Sequence, residues 1–246
     1  MPLTHSRVRL PNRAVGGCLM NWPLIKNRVI ELAVQELDLW SANDLKEYDA
    51  DATAILEKYW RSVKSEAAAK KIVEELQADP QHELHPWSAA FISWVMKTAG
   101  ATGFKKSFAH RVYVADAKYN RENNITINPF WAYRVHEVKP EPGDLVCQRR
   151  CTAGQYHDPA LRPKKCATYD IIDDTGSNGK QIEWRTHCDI VTKVRSKSID
   201  VIGGNVSQRV FKKKLPLDAE GYVKKKITGE NQYIAIVKFR NAPTEI

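Results

Sequence analysis

The stretch HELHPWSAAFISWVMKTAG, residues 82–100, contains the clearest helix signal of the chain and one residue that this signal does not explain. Pro86 suits the first position of a helix, where its missing N–H costs nothing, and Gly100 is typical of a C-terminal cap. The apolar residues between them predict a buried helix. Ser88 lies in its first turn, directly after Trp87. A hydroxyl at the start of a buried helix therefore needs a structural or chemical reason.

Other segments of the first half also have helical periodicity. Residues 23–41 repeat apolar side chains at intervals of three and four, which predicts an amphipathic helix ending near Ser41. Residues 51–77 are rich in Ala, Leu and Lys and predict one helix or two. A further helix is predicted over residues 107–122, with Ser107 as its N-cap.

Beyond residue 140 the pattern changes to short β-rich runs. They are separated by Gly, Asn and Ser turns, and residues 150–185 form a long polar loop. The runs are LVCQR (145–149), HCDIVTKV (187–194), SIDVIGGNV (198–206), RVFKKKL (209–215) and QYIAIVKF (232–239). The order predicts an α+β fold with a helical N-terminal half packed on an antiparallel sheet of four to six strands. We divide the chain into residues 1–80, an irregular segment with a helical extension, and residues 81–246, the main domain.

Composition and charge restrict the class of protein. Lys and Arg number 38 against 29 acidic residues, a net charge of +9 that favours polyanions such as nucleic acid, anionic lipid and bacterial cell wall. The basic residues form no dense tract, and no zinc-finger spacing or RNA-binding aromatic motif supports a nucleic-acid partner. No apolar run reaches the roughly 18 residues of a membrane span, so none is expected. Nor does the N-terminus have the core of a secretory signal, so action outside the cytoplasm would need another export route or a signal already removed.

The cysteines are odd in number. There are five, at positions 18, 147, 151, 166 and 188. No second close pair completes a tetrahedral zinc site with Cys147 and Cys151, so neither a metal nor a cofactor is predicted. Free buried thiols are the favoured interpretation, and the alternative is a disulfide within residues 147–166 in an oxidising compartment.

The alternation of side chains along a strand predicts that several polar residues lie close together. In HCDIV, the period of two places His187 and Asp189 on one face of a strand and Cys188 on the other. Asn205 lies at the end of the next run, after two glycines that permit close backbone approach. Two adjacent antiparallel strands would bring His187 and Asn205 together, and a helix packed on them would add Ser88. That is the arrangement of a nucleophile, a base and a group that orients the base.

The motifs PWSAAFISWVMKTAG, PGDLVC, HCDIV and VIGGNV, spanning residues 83–215, resemble an uncharacterised bacterial domain family related to the CHAP and NlpC-type cell-wall hydrolases. The resemblance implies a papain-like fold and peptidoglycan as substrate. Where those hydrolases carry the nucleophilic cysteine, this chain has Ser88. A cysteine is partly thiolate near neutral pH, whereas a serine hydroxyl stays protonated and needs a strong base.

Three interpretations of Ser88 stay open. It is a nucleophile with His187 as base and Asn205 or Asp189 as orienting group, or it is a relic in a non-catalytic cell-wall-binding module. In the third, the chemistry has moved to carboxylates, with Glu83 as the general acid of a lytic transglycosylase-like glycan cleavage and Asp189 supporting the developing positive charge.

Two further residues are assigned to substrate binding. Trp87, at the start of the helix, could stack on a sugar ring, and His110 could line the cleft. The resemblance also implies an antibacterial effector or lysis enzyme that acts in the periplasm. Such an effector would be delivered by a secretion-machine carrier and blocked by a cognate immunity protein. A nucleic-acid binder is a third class, which predicts strongly salt-dependent DNA affinity.

Overall fold

The structure is a computed structural model, and it describes residues 21–79, 84–151, 166, 168–172, 185–224 and 232–240. Five α-helices and six strands occur in this part of the chain. The helices are α1 Trp22–Ala42, α2 Thr53–Trp60, α3 Glu66–Ala78, α4 Ser88–Thr98 and α5 His110–Glu122. The strands are β1 Phe130–Tyr133, β2 Leu145–Arg150, β3 Arg185–Val194, β4 Ser198–Val206, β5 Arg209–Pro216 and β6 Tyr233–Phe239.

The strands form one sheet in the order β1-β6-β2-β3-β4-β5, and every pair is antiparallel. The predicted α+β class is therefore confirmed, and six strands lie within the predicted number. The predicted boundary near residue 80 falls outside the described residues. Helices α1 to α3 share their buried cluster with α4, and the division into two regions stays a prediction.

Local sequence accounts for most helix ends. Asn21 caps α1, since its Oδ1 accepts a hydrogen bond from Leu24 N at 3.1 Å, and Ser65 caps α3 in the same way. The segment predicted as one helix or two forms two, α2 and α3. α4 begins at Ser88, two residues after Pro86, and ends before Gly100, which has a φ of +78°.

The predicted start of α5 at Ser107 is wrong. The helix begins at His110 with Ala109 as its N-cap. Ser107 is held outside the helix by α4, because Ser93 Oγ donates to Ser107 O at 2.8 Å and accepts from Ser107 N at 3.0 Å. This link between α4 and the residues before α5 brings the first turns of the two helices together.

The two faces of the sheet are buried in different ways. Helices α1, α4 and α5 pack on one face, where Cys188 and Ile190 of β3 join the main hydrophobic cluster, and α2 packs on α4 and α3 on α2. The opposite face carries a smaller cluster that includes Val191 of the same strand. Alternation along β3 therefore follows the predicted period of two. Among the described residues, no helix combines the length and the apolar character that a membrane span requires.

Two disulfides correct the expectation of free thiols. Cys147 on β2 is bonded to Cys188, the residue directly opposite it on β3, and Cys151 is bonded to Cys166. The second bond agrees with the alternative of a disulfide within residues 147–166. Cys18 lies outside the described residues.

The two disulfides should contribute unequally to stability. The Cys147–Cys188 bond spans 41 residues and the Cys151–Cys166 bond spans 15. Loop-closure entropy then predicts losses of about 4 and about 3 kcal/mol in the free energy of unfolding when each pair is replaced by alanine. Urea unfolding of the two double variants, with and without reductant, measures both losses. Equal stability of the wild type in oxidising and reducing buffer would contradict the assignment.

Candidate active site

The serine at the start of α4 is hydrogen-bonded to a histidine from α5. Ser88 Oγ lies 2.6 Å from His110 Nε2, and each residue keeps only 5% of its surface exposed. The position of His110 follows from the link between Ser93 and Ser107, which places the start of α5 beside that of α4. His110, predicted to line the cleft, is thus the direct partner of Ser88.

The other ring nitrogen of His110 faces two groups. Tyr113, one helical turn further along α5, has its hydroxyl in hydrogen-bond contact with His110 Nδ1. The backbone N–H of Cys188 donates to the same nitrogen at 3.3 Å. This N–H is available because the pairing of β3 with β4 begins only at Ile190, opposite Ile202.

A second histidine and its carboxylate lie next to this pair. His187 Nε2 is 2.9 Å from Asp189 Oδ1, as the alternation of β3 predicts. Asp189 Oδ2 also accepts from Lys213 Nζ of β5 at 2.7 Å. His187 Nδ1 is buried and has no protein partner. The ring centroids of His110 and His187 are 5.1 Å apart, so the structure brings Ser88, His110, His187 and Asp189 into one polar cluster.

Burial and neighbouring charge set the protonation of this cluster. Desolvation lowers the pKa of His110 well below 6.5, and the positive charge that His187 and Arg150 would add lowers it further. Desolvation also lowers the pKa of His187, despite the carboxylate beside it. Burial opposes ionisation of Asp189, but His187 and Lys213 outweigh it and the pKa of Asp189 falls below its ordinary value. At neutral pH the cluster therefore holds two neutral imidazoles and one carboxylate.

The first of the two glycines in β4 makes room for the carboxylate. A Cβ on Gly203 would lie 1.9 Å from Asp189 Oδ1 and 3.1 Å from His187 Nε2. A Cβ on Gly204 would lie 2.8 Å from side-chain atoms of Phe91 and Trp87. The close approach expected at these glycines is thus present on both faces, toward the His187–Asp189 pair and toward α4.

Asn205 does not orient His187. Its side-chain oxygen accepts from Trp87 N at 3.2 Å, and its amide nitrogen donates to Glu47 Oε2 at 3.2 Å. β4 is no longer paired with β3 at Asn205, so the Asn205 amide faces α4 and not the His187 imidazole. Of the two orienting groups predicted for His187, Asp189 is the one in contact.

Trp87 is also placed differently from the prediction. It is 0% exposed, it stacks on Trp40 and Tyr59 with ring centroids 5.1 and 5.6 Å apart, and its Nε1 donates to Glu47 Oε2 at 2.7 Å. Both ring surfaces are enclosed by protein, so the predicted stacking on a sugar ring is wrong. Glu83 lies outside the described residues.

Sequence reasoning missed Tyr113 and Lys213. Tyr113 carried a usable signal, because residues three apart on a helix share a face and His110 was already a candidate. Lys213 lay within a basic run, and its pairing with Asp189 depends on the register of β5. Among the described residues, no group of three or more His, Cys, Asp or Glu side chains is arranged to hold a metal ion.

A family model described as an uncharacterized protein conserved in bacteria, DUF2272, matches residues 46–237. The chain belongs to this bacterial family. Ser88, His110, His187 and Asp189 all lie within the matched region. No curated protein and no solved structure matches the chain.

A side chain at position 203 should displace the Asp189 carboxylate. We expect Gly203→Ala to lower the free energy of unfolding by about 1–3 kcal/mol, because the new Cβ overlaps Asp189 Oδ1. In an Asp189→Ala background the overlap is gone, so the double variant should lose less than the sum of the single losses. Urea unfolding of the four proteins measures this coupling. Strict additivity would show that the two residues do not meet.

The lowered pKa of His110 predicts a loss of stability in acid. Below pH 6.5 the unfolded chain binds a proton at this histidine that the folded protein does not bind, so the free energy of unfolding falls as the pH falls. The loss between pH 7.5 and 5.5 is on the order of 1 kcal/mol. Urea unfolding across this range should show a shallower decline for His110→Gln, which does not titrate there. Parallel curves for the two proteins would contradict a neutral buried His110.

Proposed function

We propose that the chain is a bacterial cell-wall hydrolase that cuts a peptide-type bond of peptidoglycan, with Ser88 as nucleophile and His187 as general base. The observation that carries this proposal is the unpartnered Nδ1 of His187 beside the Ser88–His110 hydrogen bond. A base oriented by a carboxylate next to a hydroxyl is the combination that a serine hydrolase uses.

The protonation of His187 follows from its partner. An ionised carboxylate can only accept hydrogen bonds, so His187 Nε2 carries the hydrogen directed at Asp189 Oδ1. A neutral imidazole has a single N–H, and its Nδ1 therefore presents a lone pair. The two atoms are not hydrogen-bonded in the structure, so the proposal requires this nitrogen to approach Ser88 Oγ when substrate binds. It then accepts the Ser88 proton, and the Asp189 carboxylate stabilises the imidazolium that results.

The reaction would proceed in two halves. Ser88 Oγ attacks the carbonyl carbon of the substrate while its proton moves to His187 Nδ1, and a tetrahedral oxyanion forms. His187 then gives the proton to the leaving nitrogen, the C–N bond breaks, and an acyl group remains on Ser88. A water molecule transfers a proton to His187 and attacks the acyl carbon. Release of the carboxylic acid product returns that proton to Ser88 Oγ.

The geometry also limits access. Ser88 keeps 5% of its surface and His187 is fully enclosed, so a substrate must enter through a narrow opening or after local rearrangement. A residual exposure confined to Ser88 and His110 favours an extended chain over a bulky substrate. The stem peptide of peptidoglycan is such a chain.

Three properties support peptidoglycan as the substrate class. The motifs resemble those of CHAP and NlpC-type hydrolases, and an antiparallel sheet with a helix start beside a strand histidine is compatible with a papain-like fold. The net charge of +9 favours an anionic wall. The two disulfides suit the periplasm, where a delivered antibacterial effector or lysis enzyme would act and where an immunity protein would block it.

Digestion of purified sacculi tests the proposal. We expect the wild type to release stem-peptide fragments, and Ser88→Ala and His187→Ala to reduce that release at least 1,000-fold, because each removes a group of the reacting unit. Glu83→Gln is the matched control and should keep the activity. Mass spectrometry of the soluble fragments identifies the bond that is cut.

Two other outcomes would replace the proposal. Anhydro-sugar ends that disappear in Glu83→Gln but persist in Ser88→Ala would assign glycan cleavage with Glu83 as general acid. Sacculi that bind the protein and stay intact would assign a non-catalytic cell-wall-binding module.

A further inference from the structure

We propose that the Cys188 amide and the Tyr113 hydroxyl fix His110 as the Nε2–H tautomer, so that His110 acts as a hydrogen-bond donor at Ser88 and not as its base. In this assignment Tyr113 is a positioning residue, and His110 is a second catalytic residue whose donor supports the oxyanion. The inference rests on the proposed serine hydrolase for its role in the reaction. The tautomer itself can be tested separately.

The tautomer follows from the contacts of one nitrogen. The Cys188 backbone N–H is directed at His110 Nδ1, and an amide N–H can only donate. His110 Nδ1 must therefore offer a lone pair, and the Tyr113 hydroxyl in contact with it is a second donor. A neutral imidazole carries one N–H, which places the hydrogen on Nε2.

This tautomer defines the donor and the acceptor of the hydrogen bond between His110 and Ser88. His110 Nε2 donates across the 2.6 Å contact and Ser88 Oγ accepts. The hydroxyl hydrogen of Ser88 stays free for another acceptor, and the lone pair of His187 Nδ1 is the unpartnered acceptor of the same cluster. His110 therefore supplies a donor to Ser88 Oγ, whereas the free acceptor of His187 belongs to the neighbouring ring, whose centroid lies 5.1 Å from that of His110.

The surroundings keep His110 in this form. The residue is buried, and burial is the main reason why its pKa is lowered well below 6.5. The charged groups that act on it are Arg150, Lys213 and the Asp189 carboxylate, with His187 as the other titratable neighbour. Tyr113 stays protonated, since burial and Asp189 raise the pKa of its hydroxyl well above the ordinary value. A protonated Tyr113 can donate to Nδ1 at neutral pH.

A neutral donor suits the chemical step. As the Ser88–carbon bond forms, negative charge develops on the former carbonyl oxygen beside the Ser88 oxygen. Once Ser88 Oγ has lost its hydrogen and bonded to the carbonyl carbon, the N–H at His110 Nε2 can donate to the oxyanion in place of Ser88 Oγ. Removal of one oxyanion donor costs about 100- to 1,000-fold in kcat in other hydrolases.

Nitrogen-15 NMR of the histidine-labelled wild type tests the tautomer directly. The His110 signals are identified by their disappearance in His110→Gln. At pH 7.5 we expect Nε2 to carry the hydrogen and Nδ1 to be unprotonated, and the signals to stay unchanged to well below pH 6.5. A protonated Nδ1 would overturn the proposal, whether or not the protein cleaves sacculi.

Paired substitutions test the donor role. A glutamine amide reaches the position of Nε2, whereas an asparagine amide reaches only that of Nδ1. His110→Gln should therefore be at least tenfold more active than His110→Asn, with the difference in kcat and not in KM. Tyr113→Phe should lower kcat about fivefold, the typical effect of one neutral hydrogen bond, and shift the nitrogen-15 signals toward a mixture of tautomers.

The outcomes separate the two proposals. Equal loss of activity in the folded Gln and Asn variants would show that His110 is a base and would overturn the donor role. Circular dichroism and thermal unfolding establish which variants are folded. A wild type that cleaves no sacculi while NMR shows Nε2–H would remove the proposed function and leave the tautomer assignment standing.

Discussion

The hydrogen bond between His187 and Asp189 constrains the strands around the candidate site, because an ionised carboxylate is fully buried there. An unpaired carboxylate at such a place would cost several kcal/mol. Lys213 from β5 and the imidazole hydrogen on β3 supply the opposite charge and the donor that make the burial tolerable. The carboxylate lies where a Cβ of Gly203 would be, so β4 can pass it only as glycine. Asp189 of β3 is thus closely packed on β4 and paired with Lys213 of β5.

The position of Ser88 is the result of a different set of contacts. Trp87 is enclosed between Trp40 and Tyr59, and the Glu47 carboxylate accepts from its indole N–H. Asn205 completes this anchor by binding the Trp87 backbone and the same carboxylate. The start of α4 is thus fixed to β4 by buried polar groups. Ser88, the next residue, is held against His110 as a consequence. The Gly-Gly-Asn sequence of β4 is accounted for by close packing and by this anchor.

Much of the fold could be predicted from the sequence, because its signals are local. Helical periodicity placed α1 closely, and alternation in β3 placed His187 and Asp189 on one face. The predictions that were wrong depended on contacts between residues far apart in the sequence. The start of α5 depends on Ser93, fourteen residues before Ser107, and the propensity of Ser107 for an N-cap is overridden by that bond. The pairing of Cys147 with Cys188 depends on the register of β2 against β3, which no spacing along the chain reveals.

The same limit applied to the candidate site. Period-two alternation could identify the His187–Asp189 pair, but it could not show that His110 lies between that pair and Ser88. His110 reaches β3 because the strand separates from β4 before Ile190 and leaves the Cys188 N–H available. Tertiary packing determines where the pairing of two strands ends. It therefore also determines which side chains can contact the unpaired backbone beyond that point. Asn205 was misassigned for this reason, since it lies beyond the same separation.

The replacement of the expected cysteine by Ser88 agrees with the electrostatics of this site. A cysteine nucleophile works as a thiolate, which in this fold would be stabilised by an imidazolium. Burial lowers the pKa of both His110 and His187, so a thiolate–imidazolium pair would have to form where charge is least tolerated. A neutral serine hydrogen-bonded to a neutral imidazole requires no charge separation at rest. In the proposed reaction, positive charge develops on His187 only as the bond to the substrate forms, and Asp189 Oδ1 lies 2.9 Å from that imidazole.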